Sequence, residues 1–288
     1  MKKQQFGGKW TIEKLSILSD YLNFYVDALK NQPFKLLYID AFAGSGHITT
    51  TDGEKQIEGS ARLALKSKLP FDEYIFIEKN IKYASELRKI VDNEFPELAN
   101  KVKIQTGDCN EKLTIISETV DWRKTRAILF FDPYATAVKY DTLQSIASTK
   151  AMDVWYLFPI MAARRLMPND VTVYDSYASW KKKLNELFGS DDWYEQFYKE
   201  SKQFSMFGND IGMDRIADVE TLKSYILERL GKVFPNVASN PRMLYNTNNQ
   251  LLFMFCFAVS NPDVKAYGLA LKVANHILNK DWSDQVGE

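Results

Sequence analysis

Four short apolar runs in the first half of this chain each stop on an acidic residue, at Asp40, Glu78, Asp108 and Asp132. The runs occupy residues 36–39, 74–77, 102–107 and 127–131, and three of them are near-continuous hydrophobic stretches. Parallel strands covered on both faces read in this way. Helix-like segments separate the runs, so β and α alternate and imply a doubly wound α/β sheet. Ligands of such sheets bind outside the carboxyl ends of the strands. Four carboxylates at four successive strand ends therefore point to a small-molecule site along one rim.

The rest of the chain fits around that sheet. A helical apolar period over residues 11–30 leads into the first strand, and a fifth strand is read at 153–158. Ser60 is the expected N-cap of a helix over 61–68. From 161 to 237 helical patterns dominate, around 173–188, 193–204 and 219–234, with no clear strand. Two strand-like segments, 243–246 and 251–259, form an antiparallel-looking pair joined by Asn-rich turn residues, and a helix over 264–278 follows. The expected division is a cofactor-binding half over 1–160, a helical insertion over 161–240, and terminal strands and helix over 241–288 that complete the sheet.

With 37 Lys+Arg against 37 Asp+Glu, the chain lacks the global field of a nucleic-acid-type protein. Its only cysteines, Cys109 and Cys256, make no disulfide framework, and the first eight residues lack the apolar core of a signal peptide. The longest apolar run, 251–259, is too short to span a membrane. A cytoplasmic protein with no membrane partner is the expectation. Neither His47 nor His276 sits beside a metal-ligand partner, so no metal site is read, and Cys109 reads as a buried thiol.

The first strand runs into Asp40-Ala41-Phe42-Ala43-Gly44-Ser45-Gly46, where two alternate glycines let backbone approach a ligand closely. A P-loop needs Lys-Ser/Thr after its last Gly, and His47-Ile48 stands there instead. The dinucleotide fingerprint wants a third Gly where Thr49 stands, and an acid nearer than Glu78. The polar stretch 49–58 reads as a flap over the strand ends.

This loop, with Gly59-Ser60, Phe76-Ile77-Glu78, Gly107-Asp108 and Phe131-Asp132-Pro133-Tyr134, resembles class I S-adenosylmethionine-dependent methyltransferases, and among them the bacterial three-Cys-motif partner (TcmP) family. The resemblance covers roughly residues 10–160 and implies a Rossmann-like fold with S-adenosylmethionine as cofactor. It implies that Asp40, with the backbone of Phe42, Ala43, Gly44 and Gly46, holds the methionine portion, its carboxylate complementing the ammonium group directly or through water. Glu78 would accept from the ribose hydroxyls, and Asp108, beside the Cys109 backbone, from the adenine amine. Asp132, Pro133 and Tyr134 resemble the Asp-Pro-Pro-Tyr motif of amino-methyltransferases, which presents a target NH2 to the methyl group and stacks an aromatic ring on the base. Here Tyr134 directly follows Pro133, which alters the backbone path.

Two functions follow. One is methyl transfer to an amino nitrogen, with a nucleic acid as one possible substrate, together with a partner protein. The other is a non-catalytic methyltransferase-like subunit that binds nucleotide or an iron–sulfur, radical-type three-Cys-motif protein. Aromatics in the insertion (Tyr174, Tyr177, Trp180, Trp193, Tyr194, Phe197, Tyr198) beside Lys181-Lys182-Lys183 read as core with a solvated face rather than as a stacking surface, because acids flank them.

Overall fold

The computed structural model describes residues 8–49, 56–200 and 213–282. Five strands run parallel: β1 (Lys35–Asp40), β2 (Glu73–Glu78), β3 (Val102–Thr106), β4 (Thr125–Phe131) and β5 (Met152–Phe158). Three later strands are β6 (Asn236–Val237), β7 (Arg242–Tyr245) and β8 (Leu251–Val259). Across the sheet the order is β3-β2-β1-β4-β5-β8, and β8 is antiparallel to β5. Both β6 and β7 pair antiparallel with β8, so the expected terminal pair is in fact a group of three. The direction of winding reverses between β1 and β4, which is the Rossmann-like doubly wound arrangement.

The helices are α1 (Lys9–Leu29), α2 (Ser60–Leu65), α3 (Ile81–Glu94), α4 (Cys109–Thr119), α5 (Tyr140–Ser148), α6 (Ile160–Arg165), α7 (Val173–Ser176), α8 (Ala178–Phe188), α9 (Trp193–Phe197), α10 (Val219–Gly231) and α11 (Val264–Asn279). Alternate strand residues feed two cores, as the period-2 geometry of a strand requires. Leu36, Tyr38, Tyr74, Phe76, Ile128 and Phe130 face α1, α2, α3 and α11. Leu37, Ile39, Ile75, Ile77, Leu129 and Phe131 face α4, α5 and the helices of the insertion. Both faces being buried explains the near-continuous apolar runs in β1, β2 and β4. The strand β3 sits at an edge and is only half covered, so its run is more polar. No helix among the described residues is long and apolar enough to cross a membrane.

Three local expectations change and a fourth holds for most of its residues. Ser60 is the first residue inside α2 rather than its cap; Gly59 holds the capping position in an extended conformation. The helix expected over 193–204 ends at Phe197, where Tyr198 turns extended and Tyr198–Glu200 pairs with Met213–Arg215. An aromatic run fills a buried strand as readily as a buried helix face, so period alone did not separate the two. The stretch 49–58 begins and ends in strand, since His47–Thr49 pairs antiparallel with Gln56–Glu58; residues 50–55, at the centre of the expected flap, lie outside the described residues. As expected, the insertion's aromatics are largely core: Tyr174, Trp193, Phe197 and Tyr198 are buried in the cluster that covers the sheet, and Trp180 and Tyr194 pack against it, whereas Tyr177 is exposed.

The insertion locks to the sheet layer at the end of α8. Gly189 has φ +67°, and a Cβ there would lie 2.0 Å from the Tyr140 ring. Tyr140 donates its hydroxyl to the Arg229 carbonyl (3.0 Å), and the Arg229 guanidinium donates to the carbonyls of Phe188 (2.7 Å) and Gly189 (3.1 Å). A side chain at 189 meets both left-handed strain and a rigid ring. Gly189→Ala should therefore cost more than about 2 kcal/mol in urea unfolding; a neutral substitution would contradict this packing.

Candidate functional site

Each parallel strand delivers its last residues to one rim, and a cavity of about 870 Å³ opens there. Its size lies in the range of small-molecule sites. The cavity divides at the winding reversal. On the β1-β2-β3 side its walls are the glycine loop, Glu78-Lys79-Asn80 and Gly107-Asp108-Cys109. On the β4-β5-β8 side they are Asp132-Pro133-Tyr134, Met161, Ala162 and Arg165 from α6, and Leu252 and Phe253 from β8. From α1, Trp10 and Lys14 join that second side.

Asp40 is the exception among the expected residues. It is fully buried and does not reach the cavity wall. Its carboxylate instead accepts from the Phe42 N–H (3.1 Å) and interacts with the Tyr38 and Ser60 hydroxyls. The expected contact of Asp40 with the methionine portion therefore gives way to an indirect role, holding the loop from behind. Burial pushes its pKa up to about 7, despite the hydrogen bonds from Ser60 and Phe42; the nearby Asp132 charge adds to the rise and Lys14 opposes it. Ser60, displaced from its expected capping role, is thus spent on Asp40.

The loop that Asp40 supports is shaped by its glycines. Gly44 has φ +62°, and a Cβ built on it meets nothing within 4 Å. Gly46 has φ +86° and accepts from the Gly59 N–H through its carbonyl (3.0 Å); a Cβ on Gly59 would press on that carbonyl at 3.3 Å. Phe42 leans on Phe131, and the Ala43 N–H donates to the Ile77 carbonyl (3.0 Å), which ties the loop to β2 and β4.

Glu78 is held by two backbone donors, the Gly44 N–H on Oε2 (2.9 Å) and the Asn80 N–H on Oε1 (2.7 Å). Each oxygen keeps a lone pair, so the carboxylate is oriented and can still accept from two hydroxyls. Asp108 is the N-cap of α4, accepting from the Asn110 N–H and side-chain amide, each at 3.0 Å, with Lys79 at 3.4 Å. Partial burial alone would raise its pKa, but the Asn110 hydrogen bonds and Lys79 outweigh that and hold it below the usual range. The Cys109 thiol is buried and pushed up to about 12 by burial and then by Asp108, so it is no nucleophile.

Asp132 forms an ion pair with Lys14, whose side chain is 4% exposed against 25% for Asp132. Lys14 also lies 4.9 Å from the Trp10 ring centroid. Pro133 is buried, whereas Tyr134 is 73% exposed at the rim and precedes Ala135, which has φ +52°. His47 lines the cavity as well. Sequence reasoning missed the contributions of Trp10, Lys14, Arg165 and Phe253. Lys14 sits on an amphipathic helix 118 residues from its partner, and only a lysine placed among apolar helix neighbours hinted at it. Of the insertion, among the described residues, only α6 reaches the cavity.

No family model matches the sequence, and no curated protein matches it. Solved structures do. A Legionella pneumophila str. Philadelphia 1 protein of the DUF519 family aligns at 11% identity over 95% of this chain and 94% of its own, with a TM-score of 0.48. A spermidine synthase in complex with the transition-state analogue AdoDATO aligns at 12% over 97% of this chain and 65% of its own (TM-score 0.43). The methyltransferase domain of bacterial CtHen1-C aligns at 11% over 84% and 98% (TM-score 0.38). The strand order and the rim described above are those of a Rossmann-like, doubly wound fold.

Asp40 also sets a pH signature. Its pKa is about 3.8 when unperturbed and about 7 when folded. Between those values the folded chain binds a proton that the unfolded chain has lost, so this group makes stability fall as pH rises from about 4 to about 7 and level off above. In Asp40→Asn that slope is absent. Urea unfolding at about pH 5 and about pH 8 should show the wild type losing ground to the variant at the higher pH. A difference independent of pH would contradict the buried carboxyl.

Proposed function

We propose that this chain is an S-adenosylmethionine-dependent methyltransferase that acts on an amino nitrogen. The observation that carries the reading is Glu78, a carboxylate fixed at a strand end by the Gly44 and Asn80 N–H groups with acceptor capacity left on both oxygens. That arrangement suits a vicinal diol, and the glycine loop beside it leaves open space at Gly44, where a Cβ would meet nothing within 4 Å. The residues fit the cofactor: Glu78 for the ribose hydroxyls, Asp108 and the Cys109 backbone for the adenine amine, and the Phe42–Gly46 backbone for the amino-acid end. When bound, S-adenosylmethionine supplies a methyl group that an amine nitrogen takes with its lone pair, the C–S electron pair returning to sulfur and a proton leaving the nitrogen.

Asp132 stands across the winding reversal from those residues. Its Oδ2 pairs with Lys14, and Oδ1 is the acceptor for a target N–H, which leaves the nitrogen lone pair directed at the cofactor side. Tyr134, exposed at the rim, is placed to cover a planar acceptor. Burying that acceptor against Trp10 and Phe253 excludes water from the transfer.

The pairing of Asp132 with a buried lysine favours a second reading. In it the chain is a methyltransferase-like subunit, related to the three-Cys-motif partner family, that binds the same cofactor in the service of an iron–sulfur, radical-type partner. Cofactor binding with no transfer to any acceptor, alone or with cell extract, would favour this second reading.

Calorimetry with S-adenosylhomocysteine tests the cofactor site. Binding is expected, and Glu78→Ala should weaken it by about 1.5–3 kcal/mol per hydrogen bond lost to the charged group. Asp132→Ala should leave that affinity nearly unchanged while lowering transfer, as for a contact made in the transition state. A folded wild type that ignores the ligand would sink the proposal.

A further inference from the structure

The charges lining the cavity are not evenly shared. On the cofactor side stand two acids and one cation, Glu78, Asp108 and Lys79; on the acceptor side stand two cations and one acid, Lys14, Arg165 and Asp132. The first set complements a sulfonium. The second is a mismatch for an aliphatic amine, which is an ammonium at neutral pH, because the buried Lys14 ammonium already occupies Asp132. A cationic acceptor would meet that buried charge at the point where its nitrogen must arrive.

Arg165 is the unsatisfied member. It ends α6, faces the cavity, and among the described residues its guanidinium meets no carboxylate; its one polar contact is the Met161 sulfur at 3.9 Å. A guanidinium fork on a cavity wall is suited to a phosphate, which it can bind through two N–H groups. The acceptor side that carries Arg165 and Asp132 is otherwise lined by apolar or aromatic residues, among them Trp10, Phe253, Met161 and Tyr134. Trp10 and Phe253 pack together with ring centroids 5.0 Å apart.

We propose, on the reading that this is a methyltransferase site, that the acceptor is a nucleotide whose neutral exocyclic amine meets Asp132 and whose phosphate meets Arg165. Lys14 is the residue that rejects ammonium acceptors, and Arg165 is the one that selects the anion. The nucleotide is free or belongs to a single strand; both present the same ring and phosphate.

Calorimetry on the full chain saturated with S-adenosylhomocysteine separates the steps. The probes are adenosine and cytidine 5′-monophosphates, the corresponding nucleosides, a short single-stranded oligonucleotide and putrescine. A monophosphate or the oligonucleotide should bind where nucleosides and putrescine do not, and which of the two binds distinguishes the free from the polymeric source. Arg165 is exposed, so its truncation leaves the core intact, and Arg165→Ala should weaken that binding roughly tenfold to a hundredfold. Lys14→Met should admit putrescine, provided circular dichroism shows it folded. Phosphate-independent binding, putrescine binding as tight as nucleotide, or an indifferent Arg165→Ala would overturn the inference. Failure of S-adenosylhomocysteine itself to bind overturns the cofactor reading and this inference with it, whereas failure of nucleotides on the saturated protein overturns this inference alone.

Discussion

The strand β1 is paired in parallel on both sides, to β2 and to β4, and the structure depends on that double pairing. Connections that lead outward from β1 and from β4 cover the sheet in opposite directions, so among the described residues no helix fills the crevice between their carboxyl ends. The crevice becomes the cavity. The acids and the glycine loop reach it as a consequence of where a strand stops: Glu78 at the end of β2, Asp132 just after β4, and the loop leaving β1.

Behind the cavity lies a second tier that never touches it. Asp40 grips the Phe42 N–H and is itself reached by Tyr38 and Ser60, so one buried carboxylate sets the path of the loop. Its rise to about pH 7 is the cost of placing that anchor in the core. On the other side of the reversal, Lys14 does for Asp132 what Asp40 does for the loop, but with charge rather than hydrogen bonding. The helix α1 is therefore part of the site and part of the core at once. Its Tyr21 donates to Asp153 at 2.7 Å and its Glu13 pairs with Arg242, which fixes the helix that carries Lys14 and Trp10.

The insertion contributes less to the cavity, and more to the core, than its aromatic content suggests. Phe188, Phe197 and Tyr225 stack edge to face in the layer that covers β4 and β5. Lys181 lies over the rings of Tyr174 and Tyr194, at 5.0 and 4.5 Å, so one member of the lysine run is engaged with the insertion's own aromatics. The insertion reaches the acceptor side through its first helix, and Arg165 is what that helix delivers.

The parallel sheet, the positions of its strand ends and the glycine loop were legible in the sequence, because burial on both faces forces continuous apolar runs and a polar residue must follow where a strand leaves the core. Acids at 78, 108 and 132 could be placed on one rim for the same reason. What the sequence left open depended on distance and direction. Asp40 looks like its three counterparts in the chain, yet its carboxylate turns inward, and only the surrounding strands and Ser60 decide that. Lys14 and Asp132 are far apart in sequence, and no local pattern records their pairing. The short pairings 198–200 with 213–215, and 236–237 with β8, are equally tertiary, since segments of two or three residues have no periodicity of their own and become strands only when a neighbour presents an edge.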